Sequence, residues 1–285
     1  MMEQAQALHD LMKKRKDAGV QVITVTSAKG GVGKSSIALN MAIALGARGR
    51  NVLLVDLDLG LSSIDLMLGV KTRHNLLDVA EGRLAVQDII ETSEYGVQFI
   101  SGGSGMRELI NMQPQQTRRM ISCLLNLRDV ADTIIFDTGS GISEHIIRLV
   151  CASHVTWLVT TPEPTAMMDA YALIKQARGE NITPVIQLIL NKAESEKEAK
   201  AVMAGFAEIA EKYTGVRVLK LGHVLRDMNM VRAVKAQQPI LAGHPKSPAA
   251  MNINDLADRF LFSRAKYKTG LTMFLERFVG KTYNG

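Results

Sequence analysis

At 285 residues, 47% hydrophobic and 22% charged, the chain has the make-up of a globular protein with a sizeable core, which excludes fibrous and disordered classes. The formal net charge of +6 is unevenly spread: residues 263–285 carry +4 and residues 1–18 carry +1, leaving +1 on residues 19–262, a near-neutral body that argues against nucleic-acid binding. No apolar run approaches the roughly 18 residues of a membrane-spanning helix, and the polar start lacks a secretory apolar segment, so a soluble cytoplasmic chain is expected.

The first predicted element lies in residues 1–18, where Ala5, Leu8, Leu11 and Met12 make one apolar stripe ahead of the basic run Lys13–Lys16. A helix this short is marginal alone in water and needs a partner surface; the alternative is a frayed terminus with no role. From Val20 onward, near-continuous apolar runs alternate with helical stretches: "VQVITVTS", "NVLLVD", "VQFISGG", "DTIIFDTG", "HVTWLVTT", "PVIQLILN" and "VRVLKLG". Such runs suit strands buried on both faces, and the alternation predicts an α/β fold with a mainly parallel, doubly wound sheet and helices on both faces. "KSSIALNMAIALGARG" and "PTAMMDAYALIKQARG" read as crossover helices ending near Gly49 and Gly179. In such sheets ligands bind at the carboxyl ends of the strands, where Asp56, Asp58, Asp137, Pro162–Pro164 and Asn191 fall.

The first strand runs into "SAKGGVGKSS" and then a helix, the context that a phosphate-binding loop requires. Gly30, Gly31 and Gly33 let backbone N–H groups curl around a phosphate chain, and the helix beginning near Lys34 adds its positive dipole end. Lys34 is placed to neutralise the β- and γ-phosphates and Ser35 to offer a hydroxyl to Mg²⁺. The whole run Gly30, Gly31, Val32, Gly33, Lys34, Ser35, Ser36 is therefore the candidate nucleotide cradle; Ala28 stands where the strict motif has its first glycine. Strand-end Asp56 and Asp137, with Ser35, are candidate Mg²⁺-shell residues. Asp58 lies two residues beyond Asp56, where the strand opens towards the phosphates. At "LILNKAES", Asn191, Lys192 and Glu194 imitate a guanine-reading pattern with Glu for Asp; the extra methylene misplaces a bidentate carboxylate, which favours ATP.

In the last segment Leu271, Phe274, Leu275 and Phe278 recur at helical spacing behind Lys266 and Lys268. A basic amphipathic helix of this kind suits an anionic membrane surface. The same stripe has a second use, docking onto the body. The remaining signals point to structure: Cys123 and Cys151 fall in apolar helical contexts as buried free thiols, and the six histidines show no ligand spacing.

"KGGVGKS", "VDLDLGLSSIDLMLG" and "FDTGSGI" resemble the deviant Walker ATPases of the MinD/ParA group, over roughly Val20 to Phe262. The resemblance is strongest to the division-site (MinD) and flagellar-number (FlhG, also called FleN) branches. It implies that Lys29 is a signature lysine reaching across a homodimer, formed with ATP, to the partner's nucleotide. It further implies that Asp58 orients the attacking water, that Asp56 and Asp137 hold the magnesium shell, and that Asn191 contacts adenine. The "LGHVLRD" stretch keeps Gly222 and Asp227 but has Leu225 where relatives have a proline. "EQAQALHDLMKK" resembles the activator segment of the flagellar branch, with Gln4, Ala5 and Leu8 matching. That branch implies a slow switch ATPase regulating flagellar number and placement. Its partners would be an FlhF-like GTPase reached through the Gln4 segment, flagellar C-ring proteins or a flagellar transcription activator, and the inner face of the cell membrane reached through residues 263–285. The expected organisation is an extension at 1–18, an ATPase domain at 19–262 and a membrane-targeting tail at 263–285. Division-site selection and DNA partitioning by a ParA-type ATPase are the alternatives, the near-neutral body arguing against DNA.

Overall fold

The computed structural model describes residues 19–58, 63–102, 122–180, 182–263 and 270–279. The expected activator helix at 1–18, and all of the tail except 270–279 and Ser263, lie outside the described residues. Eight strands make one sheet: β1 (Gln21–Ser27), β2 (Val52–Leu57), β3 (Glu91–Thr92), β4 (Gln98–Ile100), β5 (Thr133–Ser140), β6 (Val155–Thr160), β7 (Ile186–Ala193) and β8 (Val218–Leu225). Their order is β3-β4-β2-β5-β1-β6-β7-β8. All neighbours are parallel except β3, which runs antiparallel to β4 at one edge. Each of the seven apolar runs became a strand. The two-residue β3, exposed at both positions, has no apolar signal to find.

The central strands are buried on both faces because helices cover both. Alternate residues of β1 enter opposite cores: Ile23 and Val25 pack on one side, Val22 on the other. The first side is covered by α1 (Lys34–Gly46) and the carboxyl-terminal helix of the domain, Pro248–Phe262, whose Phe260 meets Trp157 edge-to-face at 4.9 Å. The other is covered by the helices Glu144–Ala152, Pro164–Arg178 and Glu196–Thr214.

Helix Leu271–Val279 also belongs to this second layer. Leu271, Phe274 and Leu275 are buried, and the Phe274 ring stacks on Phe136 at 5.3 Å and on Phe278 at 6.0 Å. Of the two uses open to the tail stripe, docking onto the body is the one present. At Leu225, the backbone N–H donates to Asn252 Oδ1 at 3.0 Å, a bond that a proline there could not make.

Candidate nucleotide site

The parallel strands β2, β5, β1, β6 and β7 end on the same edge of the sheet, and the site is built where they end. After Ser27 the chain turns through Gly31 (φ 75°) and Gly33 (φ 90°), both in the left-handed region that glycine allows. Gly33 occupies the N-cap of α1 and no side chain caps that helix, so its first N–H groups remain available to an anion. The fit around the loop is tight: a Cβ on Gly33 would lie 2.4 Å from Asn191 Nδ2, and one on Gly30 would lie 3.4 Å from Ser140 Oγ. Ser36 directs its hydroxyl to Met67 Sδ at 3.5 Å, which leaves its N–H as its contribution to the cradle.

On the floor of the site the register of β2 and β5 sets Asp56 beside Asp137, both fully buried. Lys34 Nζ donates to Asp137 Oδ1 at 2.6 Å and to Ser35 Oγ at 3.1 Å. Asp56 accepts from the N–H of Asp58 at 2.9 Å and of Ile64 at 3.2 Å. Burial lifts the Asp56 carboxyl to about 7, with the Asp137 charge adding and the two N–H bonds opposing. Burial also pushes Asp137 up, against the pull of Lys34. Asp58 lies beside the end of β5: a Cβ on Gly139 would sit 3.6 Å from Asp58 Oδ1.

These residues fit a magnesium ion. Asp137 Oδ2 is buried without a hydrogen-bond partner among the described residues, and the Ser35 hydroxyl shares the same lysine. Two carboxylates, one hydroxyl and nucleotide oxygens are the hard donors that Mg²⁺ takes, usually through water.

The two lysines of the loop part company. Lys34 is buried, whereas Lys29 turns outward, with Nζ 2.9 Å from Glu163 Oε2 and 2.7 Å from Thr165 Oγ1 at the start of helix Pro164–Arg178. Lys29 holds the Glu163 carboxyl below its usual range, with Lys192 and Arg226 adding to the effect. Asn191 sits behind the loop: Nδ2 donates to Val32 O at 2.8 Å and Oδ1 accepts from Lys192 N–H at 2.9 Å. The structure therefore gathers Lys34, Ser35, Asp56, Asp58, Asp137 and Asn191 around the glycine loop and leaves Lys29 at its rim. Sequence reasoning missed Glu163 and Thr165 as holders of Lys29. The clue was a lone acid between two prolines at a strand end.

A family model for ParA, described as NUBPL iron-transfer P-loop NTPase, matches residues 19–261. The chain is 32% identical over 240 residues to the antiactivator FleN of Pseudomonas aeruginosa, covering 84% of this chain and 86% of that protein. It is 31% identical over 264 residues to the flagellum site-determining protein YlxH of Helicobacter pylori, covering 90% and 89%. The septum site-determining protein MinD of Pyrococcus horikoshii, solved with Mg-ADP, superposes with a TM-score of 0.68 at 25% identity, covering 88% of this chain and 99% of that one.

Proposed function

Because the chain belongs to the ParA family of P-loop NTPases and is an ATP hydrolase, we propose that it works as a nucleotide-driven switch controlling the number or placement of flagella. ATP enters the loop of Gly30–Ser36 with its phosphates against the loop N–H groups. Lys34 exchanges Asp137 for phosphate oxygens when the nucleotide binds. Ser35, Asp56 and Asp137 are the residues that would hold Mg²⁺, which would supply positive charge against the charge that develops on the phosphoryl oxygens. Asp58 orients the water whose oxygen attacks the γ-phosphorus as the bond to the β–γ bridging oxygen breaks, releasing ADP and phosphate.

The observation that carries the switch is the position of Lys29. Its ammonium is turned out of its own phosphate cradle onto Glu163 and Thr165 at the part-exposed rim, which supports a role outside its own site. Supplied in trans, a cation there stabilises the charge that develops on the phosphoryl oxygens, as an arginine finger does. The ATP dimer would engage an FlhF-like GTPase through the Gln4 segment, C-ring proteins or a flagellar transcription activator, and an anionic membrane through residues 263–285. Hydrolysis would reset it. The chain thus divides functionally into 1–18, 19–262 and 263–285, with the dimer held peripherally at the inner face of the membrane. Of the two cysteines expected to be buried, Cys151 is, whereas Cys123 is only half-buried, and neither has a second cysteine nearby in sequence to build a metal-transfer motif.

Light scattering with Mg²⁺ and a non-hydrolysable ATP analogue tests the switch. Dimers that Lys29→Ala abolishes are expected, and a strict monomer with normal turnover by Lys29→Ala would overturn it. The likeness to MinD supports division-site selection as a second reading. Flagellar counts and cell lengths in a deletion strain separate the two.

A further inference from the structure

Lys192 is one of two non-glycine residues with positive φ among the described residues, at 59°. The pairing of β7 with β8 slips at this point: Asn191 faces Val224 and Ala193 faces Leu225, leaving Lys192 as the extra residue of a bulge. A lysine gains nothing from the left-handed region by itself, so something must hold it there. Two bonds do. Its N–H donates to Asn191 Oδ1 at 2.9 Å, and its ammonium donates to the carbonyl of Gly31 at 2.7 Å. Asn191 meanwhile donates to the next carbonyl, that of Val32, at 2.8 Å.

In a planar trans peptide the C=O of one residue and the N–H of the next point in opposite directions. Holding the Gly31 carbonyl outward therefore turns the Val32 N–H inward, and holding the Val32 carbonyl outward turns the Gly33 N–H inward. We propose that Lys192 is a positioning residue for phosphate binding: its bulged backbone and its ammonium fix the Gly31–Val32 peptide so that the Val32 N–H faces the nucleotide's β-phosphate. Asn191 does the same for the following peptide. The pair sets the loop before the nucleotide arrives, so ordering it is not deducted from binding. This inference rests on the loop being the phosphate site and concerns the residues that aim it.

The test uses the full-length protein and measures the affinity of ADP and of AMP, which has no β-phosphate, for the wild type, Lys192→Ala, Lys192→Gly and Lys192→Arg. ADP affinity is expected to fall about tenfold in the alanine and glycine variants, the scale of one charge-assisted hydrogen bond. AMP affinity should hold, and Lys192→Arg should recover most of the loss. Glycine relaxes the left-handed backbone, so Lys192→Gly should melt no lower than Lys192→Ala, which keeps the test open should the alanine variant fold poorly. ADP binding in Lys192→Gly equal to wild type would overturn the proposal, as would equal losses for ADP and AMP. A wild type that binds neither ADP nor ATP would instead overturn the phosphate-site reading beneath it.

Discussion

Lys34 Nζ lies 2.6 Å from Asp137 Oδ1 in the floor of the site, with 6% and 0% of the two side chains exposed, and Asp56 stands beside Asp137 on the neighbouring strand. Two buried carboxylates side by side disfavour each other's charge: burial and Asp137 lift Asp56 to about 7, while Lys34 compensates Asp137 directly. The phosphate-loop lysine is therefore also the charge partner of the floor carboxylate Asp137. Removing one partner of a buried ion pair leaves the other uncompensated, at about 3–5 kcal/mol, whereas removing both is far milder. Lys34→Met should destabilise the nucleotide-free protein by about 3 kcal/mol. Lys34→Met with Asp137→Asn should recover most of that, and neither variant should hydrolyse ATP. Urea melts of the wild type, Lys34→Met, Asp137→Asn and the double variant form the double-mutant cycle. Additive losses would show that the pair does not interact in solution.

The arrangement of this floor was legible in the sequence because each part has a local signature. The glycine loop sits between a strand and a helix, and the acids end apolar strands. What stayed hidden were contacts spanning long stretches of chain. Lys29 finds Glu163 and Thr165 across more than 130 residues, and Lys192 finds Gly31 across 161. No periodicity encodes such pairings; the order of strands in the sheet creates them. The tail is the instructive middle case. The stripe of Leu271, Phe274, Leu275 and Phe278 announces an amphipathic helix but not what covers it, because a membrane and the Phe136 face of the sheet ask for the same side chains.

Gly33 and Gly31 both adopt positive φ, yet they should respond differently to alanine. At Gly31 a Cβ meets nothing within 4 Å, so Gly31→Ala bears only the backbone strain, about 1–2 kcal/mol. At Gly33 the Cβ would collide with Asn191 Nδ2, which must then abandon the Val32 carbonyl. Gly33→Ala should lose about 1 kcal/mol more than Gly31→Ala from that hydrogen bond and should lose ATP binding altogether. Adding Asn191→Ala should relieve the clash and restore part of the stability without restoring binding. Thermal melts and nucleotide titration of the three variants check this; equal destabilisation at the two glycines would contradict the close approach of Asn191.

His154 gives the fold a pH dependence of known sign. Its Nδ1 accepts the N–H of Val22 at 2.8 Å, so the imidazole is needed neutral, and burial drives it from 6.5 down to about 4, with the Gly270 backbone opposing and Arg277 adding. The unfolded chain takes up this proton below about 6.5 and the folded chain does not until about 4. The contribution is whole above pH 6.5 and drains away as pH falls to 4, a loss on the order of 3 kcal/mol. His154→Asn keeps an acceptor for Val22 without titrating in this range. The difference between wild-type and His154→Asn stability should change along that window, wild type losing more on acidification. Parallel curves from pH 7 to pH 4 would show that His154 is not buried neutral.

The docked tail can be tested by comparing two faces of one helix. Phe274 is 1% exposed between Phe136 and Phe278, while Glu276, two residues on, is exposed. Helix Leu271–Val279 packs on helix Glu144–Ala152 and on β1, so the Phe274 ring closes the second core over the strand that leads into the phosphate loop. Truncating a fully buried phenylalanine costs about 3–5 kcal/mol, whereas surface changes stay within about 0.5 kcal/mol. Phe274→Ala should therefore lower the urea midpoint strongly and Glu276→Ala hardly at all. Docking and insertion into an anionic membrane need the same apolar face, so they exclude one another. Anionic vesicles with an ATP analogue should thus raise hydrogen exchange in Glu144–Ala152 of the wild type towards the level of Phe274→Ala. Equal and small effects of the two substitutions would mean that the helix does not rest on the body in solution, and the competition between the two surfaces would have no basis.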